Sequence, residues 1–367
     1  MSNFRRHPLI SLTLAGMMIS FASWSSAETY TEERLPCLNQ TETKQPFFGD
    51  LHIHSRLSFD SYLSSQRNGP DEVYDYAKGM PITLPGADGE QRMIAQIDRP
   101  LDFAALTDHG EFLGQVSACQ NPETLLGKLW PMCNMSRSDN LWIQLLSASW
   151  WTSLGGQSGD EPSPSGVCLF EDCDQRQIDV WEEVQTAAER HYDRSENCEF
   201  TTFVAYEYTD ASNQNNLHRN VIFRNANVTQ KPITIYESER SVLSLWQQLK
   251  AQCINSDSGC DVLAIPHNPN LAGGMMFRDP VTDEELHLRR SIEPLVELVQ
   301  HKGASECRYD RLAGRGVNTT DELCDFEQIP ADNLHMLGSV EGKMRSERGS
   351  MVDVDNFARR NMVRNVL

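Results

Sequence analysis

Several short apolar runs in this chain end in a residue of a metal-binding type. Phe47-Phe48-Gly49-Asp50-Leu51 leads into His52-Ile53-His54, and Leu101 to Thr107 leads into Asp108-His109-Gly110. Phe200 to Tyr206 leads into Glu207, and Asp261 to Pro266 into His267. A further run is opened by His218, and another covers Pro294 to Gln300. Between them lie helical signals. Pro70-Asp71-Glu72 puts proline and acids in a first turn. Gln175 to Tyr192 sets Ile178, Trp181, Val184, Ala188 and Tyr192 near one face, and Ser241 to Cys253 reads as a helix as well. Strand, polar residue and helix in repetition is the pattern of an α/β barrel, where site residues gather at the C-terminal ends of parallel strands.

The flanks and one internal stretch depart from this pattern. Arg5 and Arg6, the apolar run Leu9 to Ala22 and the small residues Ser25-Ser26-Ala27 read as a signal peptide over residues 1–27. The run is short and broken by Gly16, Ser20 and Ser23, which suits cleavage better than an uncleaved anchor. Export to the periplasm or beyond is expected, with no membrane insertion after cleavage. Residues 28–46 form a polar lead-in to a domain over 47–367, and residues 111–175 read as a cysteine-rich insertion with a Gly/Ser/Pro loop near Gly155 to Gly166.

Export bears on the ten cysteines, an even number that suggests disulfides. Local pairs are Cys119 with Cys133, Cys168 with Cys173, Cys253 with Cys260 and Cys307 with Cys324, which leaves Cys37 for Cys198. Spacing does not fix this connectivity. No spacing is C-x-x-C, which weighs against a thiolate metal site. The formal charge of -20, from 52 acidic and 32 basic residues, argues against nucleic acid and anionic membrane as partners. A small anionic substrate stays open, because divalent ions in a cleft dominate the local potential. There is no G-x-G-x-x-G and no phosphate-binding G-x-x-x-x-G-K-[ST], so nicotinamide and ATP chemistry are not expected.

His52 and His54 are two apart in a strand and so share a face. Neutral imidazoles there suit zinc, manganese or iron, and Asp50 is placed to orient one ring. A lone H-x-H is equally well a pair of core or surface histidines. With His109 and His267 also at strand ends, packing alone becomes a poor account, because buried imidazoles need partners. Glu207 taken singly reads as a helix-start acid; with the histidines it reads as a carboxylate bridging two metals.

Phe48-Gly49-Asp50-Leu51-His52-Ile53-His54-Ser55, Ala105-Leu106-Thr107-Asp108-His109-Gly110 and Ile265-Pro266-His267 resemble the successive motifs of the PHP (polymerase and histidinol phosphatase) superfamily, which includes metal-dependent phosphoesterases. Ala205 to Tyr208, His218 to Phe223 and Val296 to Glu306 are similar to the family catalogued as domain of unknown function 3604. The resemblance spans residues 46–367 and implies a distorted TIM-like (β/α)7 barrel with a two- or three-metal site. It implies that His52, His54 and Glu207 hold one metal, that Glu207 bridges to a second held by His218 and His267, and that His109 helps hold a third. Asp60 stands where many relatives place a histidine of the third site.

The superfamily also closes its site with a late D-x-H. None of His287, His301 and His335 has an aspartate two residues before it. The expectation is a fragment, incomplete at the C-terminus and ending within a helix over Val352 to Leu367; a natural protein that lost the last strands is the alternative.

The expected function is hydrolysis of a small anionic phosphoester by a bi- or trinuclear centre of Zn, Mn or Fe, with His109 as general acid. Arg219 is a candidate clamp for an anionic oxygen, against the reading of an ordinary ion pair. Lys302, Ser305 and Glu306 are candidates for the pocket wall. Sulfate or phosphonate ester hydrolysis is one alternative, and a non-catalytic metal-binding protein is another. Oligomeric state is not readable.

Overall fold

A computed structural model describes residues 36–84, 93–138, 140–155, 164–211, 216–272, 275–305 and 363. The expected signal peptide, the pocket candidate Glu306, the expected Cys307–Cys324 pair and the terminal helix expected over Val352 to Leu367 (apart from Val363) lie outside the described residues.

The strands are β1 (Gly49–Ile53), β2 (Ile82–Leu84), β3 (Met93–Ala95), β4 (Phe103–Leu106), β5 (Thr201–Phe203), β6 (Ala205–Tyr208), β7 (Arg219–Phe223), β8 (Val262–Pro266), β9 (Val299–Gln300) and β10 (Gly303–Ala304). The α-helices are α1 (Phe59–Leu63), α2 (Pro70–Ala77), α3 (Leu113–Gln120), α4 (Leu125–Leu129), α5 (Pro131–Ser136), α6 (Leu141–Gly155), α7 (Cys173–His191), α8 (Ile235–Ser238), α9 (Val242–Leu249) and α10 (Asp283–Ile292).

β1, β4 and β5 form a parallel sheet in the order β1-β4-β5. β6, β7 and β8 form an antiparallel sheet in that order. The two sheets join where β5 and β6 are separated by Val204 alone. Phe223 N–H donates to Val204 O (2.9 Å), and Glu207 N–H donates to Asp108 O (3.0 Å) just past β4. An isolated parallel bridge pairs His109 with Glu207.

The expected α/β architecture is present, with a parallel sheet and helices, but it departs from the expected barrel in two respects. The described strands do not close, and of the ten only β1, β4 and β5 pair in parallel. Site residues still converge, because the end of β6 pairs with the start of β7 and that in turn with the end of β8 (Tyr208 with Arg219, Arg219 with Pro266). Alternating direction brings two strand ends and one strand start to a single edge.

Smaller corrections have local causes. The run Phe200 to Tyr206 is two strands, and Glu207 sits inside β6 rather than beyond it. The helix expected to Cys253 is α-helical only to Leu249, then widens to a π turn over Lys250–Ile254. Of Pro294 to Gln300 only Val299–Gln300 is strand, paired antiparallel with Gly303–Ala304.

α7 forms as its pattern predicts. The Asp172 carboxylate accepts from Gln175 N–H, Asp174 lies in the first turn, and Arg190 and His191 lie in the last. Val180, Trp181, Val184, Ala187 and Ala188 are buried against the sheets, with Tyr206, Tyr208 and Phe223 in the same core. On the opposite sheet face Ala105, Ala205, Ile222 and Ile265 form a small apolar floor.

The stretch expected as an insertion is helical over most of its described residues. Leu113 to Leu169 supplies α3 to α6 around a separate cluster of Phe112, Val116, Cys119, Cys133, Trp151 and Val167, joined by Leu63. α3 fits tightly on the start of α7, since a Cβ on Gly114 would lie 2.1 Å from Cys173 O. Disulfides join Cys37–Cys198, Cys119–Cys133, Cys168–Cys173 and Cys253–Cys260. They suit an oxidising compartment. Among the described residues no helix is long and apolar enough to cross a membrane.

Candidate metal centre

The histidine-bearing strand ends are held by backbone contacts before any side chain meets another. Ile53 N–H donates to Thr107 Oγ1 (3.1 Å), and Thr107 N–H to Ile53 O (2.8 Å). Asp108, buried behind them, accepts from Ser55 N–H (2.6 Å) and Ser55 Oγ–H (2.7 Å). Burial pushes the Asp108 carboxyl up to about 6, against these hydrogen bonds. The segments after β1 and β4 are thus tied together, and they deliver His54 and His109 side by side with ring centroids 4.8 Å apart. β1 loses register with β4 between Asp50 and Ile53, the kind of irregularity that re-aims side chains beside a site.

Glu207 is the hub. Its side chain is fully buried (0% exposed). His54 Nε2 lies 2.8 Å and His52 Nε2 3.4 Å from its Oε2, with His109 Nδ1 at 3.5 Å. His267 Nε2 lies 3.0 Å and His218 Nδ1 2.6 Å from Oε1. Five imidazoles surround one carboxylate. Burial alone would raise that carboxyl, but His109, His267 and His218 outweigh it and hold Glu207 well below the usual carboxylate range.

The outer ring nitrogens separate the histidines. His52 Nδ1–H donates to Glu297 Oε2 (2.7 Å). His54 Nδ1 lies 3.1 and 3.2 Å from the Asp60 oxygens, and His109 Nε2 lies 3.3 Å from Asp60 Oδ2. His109 Nδ1 also meets the Thr209 hydroxyl closely. Desolvation lowers His52, but its hydrogen bonds to Glu207 and Glu297 prevail and bring it up to about 9. His54 is likewise carried well above its ordinary value, chiefly by Asp60, against desolvation. Burial instead pushes His218 down to about 4 and His267 to about 3, against the pull of Glu207.

This set fits divalent metals. His52, Glu207 and His267 could share one ion, as could His109, Glu207 and His218, and His54, Asp60 and His109. Both His218 ring nitrogens and His267 Nδ1 are buried without a hydrogen-bond partner among the described residues. The 2.6 Å approach of His218 Nδ1 to Glu207 therefore lacks hydrogen-bond alignment. Two lone-pair atoms that close, both buried and not bonded to each other, are what a shared cation would reconcile. The candidate groups divide the ligands differently from the expectation: His267 falls with His52 rather than with His218, His54 falls with Asp60 and His109 rather than with His52, and His109 also joins His218.

A cleft of about 980 Å³ opens over the centre. Asp50, His52, His54, Asp60, Glu297 and Lys302 line it, so Lys302 is brought to the site. Arg219 is not. Neighbours in a strand face opposite ways, and Arg219 turns away from His218. It is buried, with Nε–H donating to Glu293 Oε1 (2.7 Å) and an NH1 hydrogen to Leu217 O (2.8 Å). The ordinary ion pair accounts for it. Ser305 is buried near the hairpin, its N–H donating to Leu298 O (2.6 Å).

Glu297 and Thr209 were not anticipated as site residues. Thr209 was readable from period two, since it follows Glu207 by two positions on the same face. Glu297 is a lone acid in the apolar run Pro294 to Val299, the signal that marked Glu207.

No curated protein and no solved structure matches the chain. The family model described as "Protein of unknown function (DUF3604)" matches residues 41–364, and the chain belongs to that family.

Proposed function

We propose that this protein is an exported metal-dependent hydrolase of the PHP type that cleaves a phosphoester bond in a small anionic substrate. The observation that carries the reading is the buried Glu207 carboxylate with five imidazoles around its two oxygens. Zn, Mn or Fe suits this imidazole and carboxylate donor set. Such ions supply Lewis acidity toward phosphoryl oxygens and a nucleophile from water near neutral pH.

The chain's own residues do the rest. Burial keeps His218 and His267 neutral, so their lone pairs are available without loss of a proton. Asp60 and Glu297 hold the rings of His54 and His52 from outside. Lys302 puts positive charge on the cleft wall for an anionic substrate. His109 is the proposed proton donor to the leaving oxygen. Its two roles exclude one another: a His109 ring that served as a ligand in either of its candidate groups would be no usable acid, so the acid role requires that the ions be held by His52, His54, Glu207, His218 and His267 with His109 outside the ligand set. The disulfides support an exported protein. The barrel reading is supported by the parallel sheet β1-β4-β5 and by the join of the two sheets.

Metal content by mass spectrometry on chelator-free protein, with chromogenic phosphodiester and aryl sulfate turnover assayed in parallel, tests the reading. Two or more ions per chain, phosphodiester turnover above sulfate turnover, and loss of it in His54→Ala are expected. Protein with neither ions nor turnover would sink the proposal, and faster sulfate turnover would move the substrate to sulfate esters.

A further inference from the structure

His52 and His54 each meet a carboxylate on the ring nitrogen away from Glu207, but the two carboxylates are placed differently. Asp60 is itself within reach of a common point with His54 and His109. Glu297 belongs to no such group among the described residues. Its Oε2 accepts from His52 Nδ1–H at 2.7 Å. Its backbone N–H donates to Pro266 O (3.1 Å), the residue before His267. The acid is thereby tied to the strand that carries His267, while its side chain grips the histidine carried by β1. The His52 and His267 rings lie 4.2 Å apart, and both reach Glu207 through Nε2.

We propose that Glu297 is a positioning residue of the metal centre: by accepting from Nδ1–H it fixes the His52 tautomer and ring plane, so that Nε2 is presented to the ion shared with Glu207 and His267. The inference rests on the metal reading above. Its physical basis is that an imidazole has two nitrogens and two ring orientations, and a ligand is defined only when the second nitrogen is committed elsewhere. Glu297 commits it. The anchor to Pro266 also couples the spacing of His52 to that of His267, which β1 and β8 alone do not do because they do not pair.

The test is a titration of the full chain with Co²⁺ against a competing chelator, read by visible absorption, for the wild type and for His52→Ala, Glu297→Ala and Glu297→Gln. His52→Ala should lose one ion. Glu297→Ala should keep the stoichiometry, bind one ion about 10–100-fold more weakly, and shift the absorption of that ion alone. Glu297→Gln, whose amide oxygen still accepts from Nδ1–H, should recover most of the affinity. Ions bound by Glu297→Ala with wild-type affinity and spectrum overturn the proposal while leaving the metal reading intact. A Gln variant as weak as the Ala variant overturns it too, because charge or direct ligation would then be the role. Should Glu297→Ala fail to fold, the Gln variant decides: within a few-fold of wild type is expected, and a 100-fold loss overturns. Wild-type protein that takes up no ion brings down the metal reading and this one with it.

Discussion

Four of the five histidines around Glu207 fall into two kinds. His218 and His267 lie deep, brought by antiparallel strands, and burial holds them neutral near about 4 and about 3. His52 and His54 lie at the cleft wall, brought by the parallel sheet, with carboxylates on both sides that raise them, His52 to about 9. The same side chain is thus prepared for metal binding in two ways. The deep pair needs no proton removed, but burying its unpartnered ring nitrogens is costly. The wall pair is comfortable without metal and must give up a proton to bind it. A centre built from both kinds combines ready ligands with a structure that survives metal loss.

Glu207 is where the two kinds meet, so its removal tests the comparison most severely. Glu207→Gln removes the charge that both sets face. It should abolish binding at the two ligand groups that contain it and lower hydrolysis on the order of 10³-fold or more. Metal stoichiometry by mass spectrometry checks this, and full retention of ions would show that the histidines do not depend on the hub.

Acidity separates the two kinds in the metal-free protein. His218 and His267 have folded values below the unfolded value, so the unfolded chain binds more protons between about 4 and 6.5 and their contribution to stability falls as pH drops through that window. His52 has a folded value above the unfolded one, so its contribution is complete below about 6.5 and is lost as pH rises toward about 9. These histidines should therefore contribute most to the stability of the metal-free protein near pH 6.5. Added metal should raise the melting temperature progressively more from pH 6.5 to 9, since binding displaces the His52 proton. A metal-induced shift that does not change over pH 6.5–9 would contradict the wall-histidine account.

What the sequence disclosed and what it withheld follows the same physics. Period two and apolar runs mark strand ends, so His52, His54, His109, Glu207, His218 and His267 were readable one by one, and the structure brings all six together. Strand direction leaves no such mark. A short apolar run reads the same whether it runs parallel or antiparallel, which is why β6 to β8 were expected as barrel strands. Ligand partition is set by tertiary spacing, so the grouping of His267 with His52 had no local signal. Arg219 shows the limit of adjacency: being next to a ligand in a strand places a side chain on the wrong face.

That alternation can be tested on stability apart from metal. Arg219 pairs with Glu293, which also accepts from Trp246 Nε1–H (3.0 Å), and both charged groups are almost fully buried. Arg219→Met leaves Glu293 charged and buried and should cost about 3–5 kcal/mol in denaturant unfolding, while the protein that remains folded binds its full complement of metal. A variant of wild-type stability with lost turnover would instead return Arg219 to the substrate.

Lys302 is the mildest probe, and it acts on the centre from the cleft wall. It lines the cleft, and its charge is one of the influences that lower His218. Charge on a cleft wall guides an anion and holds it in ground state and transition state alike, and such uniform binding appears in KM more than in kcat. Lys302→Ala should raise KM for a phosphodiester several-fold, on the order of 1 kcal/mol of binding, with kcat and metal content little changed. The effect should shrink as salt is added, because a wall charge partly open to solvent is screened. If kcat fell instead and KM held, Lys302 would be acting on charge that develops during the reaction, and the wall side of the centre would then share in the chemistry that the deep histidines and Glu207 otherwise set up.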